Sequence, residues 1–169
     1  SDSILADPLF NMLNYKPALL KKVSNCVYES GLGVSGWIGS RRILLGSRDH
    51  MKSHGIVVPD SKKESALNKN HDEVVYLAVA GEVCMLFFVT LSANPQDFSA
   101  VNSVLAEAKT LFPSGSVSIR NIWDYNKNGT NGAQHVTIDE AIIYAASLAV
   151  SSDSILADPL FNMLNYKPA

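Results

Sequence analysis

Residues 30–47 read SGLGVSGWIGSRRILLGS, and the fold is read outward from this run. Gly33 to Ile38 and Arg41 to Leu45 are two strand-like stretches separated by Gly39-Ser40, a pair suited to a tight hairpin turn. Upstream, Val23 to Glu29 is strand-like. Downstream, Ser47 is placed to cap a short helix running through His54 and stopped by Gly55. A second hairpin follows, Val74 to Val79 and Val83 to Leu91, turning across Gly81-Glu82. Its second strand, Val83-Cys84-Met85-Leu86-Phe87-Phe88-Val89, is apolar on both faces and so belongs in the middle of a sheet. Between the hairpins, Pro59 to Asp72 is polar and reads as a loop with a helical turn. Strands joined by short hairpins predict an α+β fold: a mainly antiparallel sheet of about six strands, with a helical hairpin and further helices packed on it.

The remaining elements come from the second half of the chain. Ser116 to Tyr125 alternates apolar and polar residues as a half-buried strand does, with a bulge expected near Asn121. Asn126 to Gly132 is a loop of turn formers. Thr137 and Glu140 form a capping box, after which Ile138, Ile142, Ala145 and Ala149 fall on one helix face. Asn94-Pro95 opens another helix, with Asn94 as cap and Pro95 at the first helical position.

The ends of the chain carry the same text. Residues 1–18 read SDSILADPLFNMLNYKPA, and residues 152–169 repeat them without a change. Solenoid repeats diverge and recur several times; a perfect pair at the two extremes reads instead as a cyclically reordered chain with an overlap. The apparent parental order is residues near 110–169 followed by 19–94, in a single domain over 1–169. Read that way, the helix after Thr137 and the repeated segment form a helical hairpin leading into the strands. Both copies present the same apolar surface: Ile4, Leu5, Leu9, Phe10, Met12 and Leu13 in one, Ile155, Leu156, Leu160, Phe161, Met163 and Leu164 in the other. One core has one place for it. Burying a single Leu or Phe is worth about 1.5–3 kcal/mol, which leaves three outcomes: one copy loose at a terminus, one exchanged into a neighbouring molecule, or the two sharing the place in part. The favoured expectation is exchange or end-to-end assembly, that is, a homo-oligomer through the exchanged segment.

Composition limits the function classes. The chain has 14 Lys+Arg and 16 Asp+Glu, a formal net charge of −2, and 47% hydrophobic residues. That is the balance of a folded domain, without the broad basic face a nucleic-acid partner needs. No apolar run reaches the ~18 residues of a spanning helix, and Ser1-Asp2-Ser3 carries no basic region of a secretory signal, so a cytoplasmic setting is expected. Cys26 and Cys84 read as small apolar strand residues under reducing conditions. His50 and His54, four apart, share a helix face within reach of a metal. No third ligand stands beside them in sequence, and a histidine near a helix C-terminus is favoured by the macrodipole, so no metal is expected. Arg41 and Arg42 point to opposite faces of their strand, so at most one of them faces any given cleft.

Gly31, Gly33 and Gly36 spell GxGxxG, but a strand follows them where a dinucleotide-binding fold has a helix. The longer pattern is more specific. Gly31, Gly33, Val34, Gly39, Arg41, Arg42, Leu45 and Gly46, with Ser47 in place of Asn, resemble the nucleotide-binding domain of P-type ATPases, particularly the heavy-metal-transporting branch. In parental order the resemblance takes in Thr137 to Leu148 as that family's first helix. The strands Val74–Val79 and Glu82–Leu91 resemble those returning to the phosphorylation domain, which becomes an expected partner in the parent protein. The resemblance implies an ATP cleft lined by Gly31, Gly33 and Gly36, with Ser154 near the family's His-Pro pair. Ala149 stands near the family's acidic residue. Two polar anchors are thus replaced, and at about 1–3 kcal/mol for each lost hydrogen bond binding falls by a factor on the order of 100. The expectation is a module with weak or lost ATP binding and no catalysis of its own. Lys109-Thr110 lacks the preceding Asp of the family's phosphorylation motif, so no catalytic residue is assigned. The alternative expectation is a non-catalytic interaction or assembly module acting through its duplicated ends.

Overall fold

The computed structural model describes residues 2–91, 104–105, 107–108, 116–128 and 136–151. Its centre is a six-stranded antiparallel sheet built from β2 (Ser24–Glu29), β3 (Gly33–Ile38), β4 (Arg41–Gly46), β5 (Glu73–Val79), β6 (Glu82–Leu91) and β8 (Val117–Asp124), lying side by side in that order. Each of the first four pairs with its successor in sequence, and β6 pairs with β8, passing over β7 (Glu107–Ala108). The α+β, antiparallel reading therefore holds. The two-residue pairing of β1 (Asp2–Ser3) with β7 (Glu107–Ala108) lies apart from this sheet.

Turn chemistry accounts for the hairpins. Gly39 sits at a φ of +60° in the β3–β4 turn. The β5–β6 turn is Ala80-Gly81 rather than Gly81-Glu82: both residues have positive φ, 52° and 88°, and Val79 pairs with Glu82. Two positive φ values in succession are what a two-residue turn needs to follow the strand twist, and Ala80 accepts one although glycine would adopt it more readily. The expected bulge in β8 is present. Phe88 pairs with Asn121 and Val89 with Ile119, which leaves Arg120 as the extra residue.

The sheet is covered on both faces. On one, Val34, Ile43, Leu45, Val75, Leu77, Met85, Phe87 and Val89 join the buried side of α5 (Ile138–Ser151) and the apolar residues of the N-terminal segment. On the other, Leu44, Tyr76, Ala78, Leu86 and Phe88 meet Met51 of α2 (Arg48–Ser53) and Ile56. The polar stretch before β5 folds into α3 (Ser61–Leu67), whose Asp60 cap accepts from the Lys62 amide at 2.9 Å. Arg48 ties it down, donating to the Pro59 carbonyl at 2.6 Å and lying 3.6 Å from Glu64. Trp123 and Tyr125 extend this second cover. Where a loop was expected from Asn126, the chain first makes a helical turn, α4 (Tyr125–Asn128).

Helix α5 is buried almost all round. Ala141, Ile142, Ala145, Ala146, Leu148 and Ala149 are in the core, while Ile138 at its start is 43% exposed and so leaves the face predicted for it. Its capping box is formed on both sides: the Glu140 amide donates to Thr137 Oγ1 at 3.1 Å, and the Thr137 amide donates to Glu140 Oε1 at 3.4 Å. The helix expected at Asn94-Pro95 lies outside the described residues. Thr137 is exposed and makes no core contact, so Thr137→Ala removes the cap alone. Thermal denaturation should show a loss of about 1 kcal/mol, a fall in Tm of about 2–4 °C.

Candidate functional site

Two features of the fold have the character of sites: the glycine bend with what lies on it, and the apolar groove that receives the N-terminal segment. The bend comes first. The chain leaves β2 at Glu29, turns through Ser30 to Leu32, and enters β3 at Gly33, which pairs with Glu29 on one side and with Gly46 of β4 on the other. Glu29, Gly33 and Gly46 thus form a row across the sheet on the face covered by α2. Helix α2 starts one residue after Gly46-Ser47, and Ser47 Oγ accepts from the His50 amide at 3.0 Å. This cap fixes the first turn and sets the His50 ring back onto the glycine pair.

The glycines are needed for close approach to parts of this chain itself. A Cβ on Gly33 would lie 2.3 Å from the Leu45 carbonyl oxygen, 2.6 Å from the Gly46 Cα and 2.9 Å from His50 Cδ2; one on Gly46 would lie 2.6 Å from the same ring atom. Gly36 is closed off by Val23, 2.4 Å from a Cβ there. Gly31, by contrast, has open space around it and a φ of +75°. Of the residues expected to line a cleft, Gly31 is at the turn, Gly33 lies beneath an imidazole, Gly36 packs against the chain entering β2, and Ser154 lies outside the described residues, as does Lys109-Thr110.

His50 is fully buried, and neither ring nitrogen has a hydrogen-bond partner. Burial pushes its imidazole below the ordinary histidine range, and the neighbouring His54 adds to this; the Glu29 carboxylate and the Val34 main chain act in the opposite sense. His54, just beyond α2, stacks edge-on against it with ring centroids 4.9 Å apart. His54 Nε2 is 3.0 Å from Glu29 Oε1, and His50 Nδ1 is 3.7 Å from Glu29 Oε2. Arg42 Nη2 lies 3.4 Å from His54 Nδ1. Arg41 points to the other face and donates to the Tyr144 hydroxyl at 3.4 Å, as strand alternation requires. The third donor beside the histidine pair is therefore Glu29, brought in by strand pairing from the far side of the bend. Cys84 is buried and Cys26 half-buried in the sheet, and burial raises the thiol pKa of both, as suits structural cysteines.

The second site is a groove formed by α5 and β8. It holds Ile4, Leu5, Pro8, Leu9 and Leu13 of the N-terminal segment, all buried, four of them around and within α1 (Ala6–Met12). Leu9, at 2% exposure, is more enclosed than Ile4, Leu5 or Leu13. Phe10 is half-buried against Tyr15, whose hydroxyl donates to Asp7 Oδ1 at 2.9 Å. Met12, counted in the apolar surface from sequence, is 39% exposed. The helix packed beside α5 is thus supplied by residues 6–12, so in the described residues the expected hairpin partner comes from the first copy. The second copy lies outside the described residues.

No helix among the described residues is long and apolar enough to cross a membrane. Comparison with protein-family models, curated proteins and solved structures finds no match for the chain.

The two glycines should differ in cost. Gly31→Ala meets only the unfavourable left-handed backbone, about 1 kcal/mol. Gly33→Ala must also part β3 from β4 and shift His50, which places it at or above about 3 kcal/mol. Chemical denaturation of the two variants measures the difference; equal losses would show that turn geometry, rather than close packing under His50, sets the need for glycine.

Proposed function

We propose that this chain is a non-catalytic interaction module whose groove between α5 and β8 takes the segment SDSILADPLFNMLNYKPA, supplied by either end of the chain or by a second copy. The observation that carries this reading is the enclosure of Ile4, Leu5, Leu9 and Leu13 in that groove, in a chain that repeats the same residues at 155, 156, 160 and 164. Two identical segments have the same intrinsic affinity for one groove. A closed monomer fills its groove and keeps a spare segment. That segment enters another copy's groove only by displacing its equal, so association rises as protein concentration approaches the effective concentration of a tethered segment, in the millimolar range.

A pair of substitutions tests this. If the copies replace one another, Leu9→Ala or Leu160→Ala alone costs less than about 0.5 kcal/mol, because the intact copy takes the groove. The double variant costs the about 2–5 kcal/mol of an ordinary buried Leu→Ala change. This non-additivity is the signature of a shared groove. A full loss from Leu9→Ala alone would overturn the reading.

A second reading is an ATP-binding-domain-like module of a P-type-ATPase-like protein. It is supported by the antiparallel sheet with a glycine bend leading into a short capped helix, and by the open space at Gly31. His50 occupies the face of Gly33, so on this reading the nucleotide lies toward Gly31 and binds weakly. Calorimetric titration with ATP and ADP should then give heat only at millimolar ligand. Absence of heat at that concentration removes ATP binding as a function of this chain.

A further inference from the structure

We infer that Glu29, His50 and His54 form a binding site for a divalent transition-metal ion of the zinc class. The inference is independent of segment docking, since these residues lie on the opposite face of the sheet from α1 and α5. One donor atom from each of the three side chains lies within 4.8 Å of the other two. Around a tetrahedral ion with bonds of about 2.0–2.1 Å neighbouring ligand atoms stand about 3.3 Å apart. The Glu29 carboxylate reaches both rings, Oε1 to His54 Nε2 at 3.0 Å and Oε2 to His50 Nδ1 at 3.7 Å, so the three groups stand within a small adjustment of that spacing. The remaining adjustment falls on His54 and Glu29, which are partly exposed, while His50 is held by its helix and the glycine pair.

The donor chemistry is selective. Two imidazoles and one carboxylate suit zinc, cobalt or nickel; calcium and magnesium prefer all-oxygen sets. The second observation is His50 itself. A buried imidazole without a hydrogen bond at either nitrogen is costly to maintain, and a metal ion on Nδ1, which has the Glu29 carboxylate at 3.7 Å, would satisfy that nitrogen. Three protein ligands leave a fourth position for water.

Arg42 opposes the ion and so supplies the decisive control. Its guanidinium has only donors, so the contact with His54 Nδ1 requires a lone pair on that nitrogen. Once Nε2 holds a metal, Nδ1 carries the proton and faces a cation. Binding therefore breaks the Arg42–His54 contact, and Arg42→Gln, which removes the charge and offers a carbonyl to Nδ1–H, should tighten binding.

The test is titration of the full chain, stripped with chelator, with Zn²⁺ by calorimetry and with Co²⁺ by visible absorption. The expected result is one ion per chain with the intense absorption of four-coordinate cobalt. Glu29→Gln and His54→Gln, which remove ligands, should each weaken binding by at least the roughly 100-fold that loss of a strong outer-shell partner costs, His71→Gln should leave it unchanged, and Arg42→Gln should strengthen it. Circular dichroism confirms that each variant is folded. Only millimolar binding, binding unaffected by His54→Gln in a folded variant, or the weak absorption of six-coordinate cobalt would overturn the proposal.

Discussion

The central strands have no water-facing side, and the architecture follows from that constraint. In β5 and β6, Val75, Leu77, Met85 and Phe87 point one way while Tyr76, Leu86 and Phe88 point the other, and all are buried. A sheet apolar on both faces needs two covers. Helix α5 supplies half of one, and because it is buried on nearly every side it needs a neighbour of its own. That neighbour is α1. The other cover is smaller and more polar, made of α2, α3 and the aromatic end of β8. The apolar groove and the histidine cluster thus sit on opposite sides of one sheet and answer to different demands: area on one side, close fit on the other.

The glycine run shows how a single pattern serves two physical purposes. Gly31 and Gly39 supply positive φ in turns with nothing near them. Gly33 and Gly46 lie in paired strands and are small because main chain and the His50 imidazole both press on them, and Gly33 also holds a φ of +156°. A glycine-lined surface invites close approach from whatever reaches it first, and here a side chain of the same domain, set by the Ser47 cap, has taken the place.

Much of this was legible in the residues. Alternation and turn formers located β3 to β6, the doubly apolar strand was placed centrally, the Thr137–Glu140 box gave the start of α5, and the opposed directions of Arg41 and Arg42 followed from strand periodicity. What escaped the sequence reading was set by pairing across distance. Glu29 meets His50 and His54 only because β2 and β3 fold back at Gly31, and no spacing rule links a strand end to two histidines more than twenty residues on. The exposure of Ile138 and Met12 likewise depends on which neighbours arrive. The turn at Ala80-Gly81 was misplaced by one residue because glycine was assigned the first turn position, whereas alanine holds it.

The attachment of α1 carries a further consequence. This helix reaches the groove across a closure that spans almost the whole chain, since α5 lies near the far end. Closure entropy rises slowly with length, by about 0.6 kcal/mol for each doubling, so distance is only a mild handicap at equilibrium. It is a larger handicap in time, because long-range contacts form late and local ones early. The segment that follows α5 directly has the shorter search. On the shared-groove proposal, refolding from denaturant sets a race in which the nearer competitor has the head start, and the occupant of the groove just after collapse need not be the one that holds it at rest.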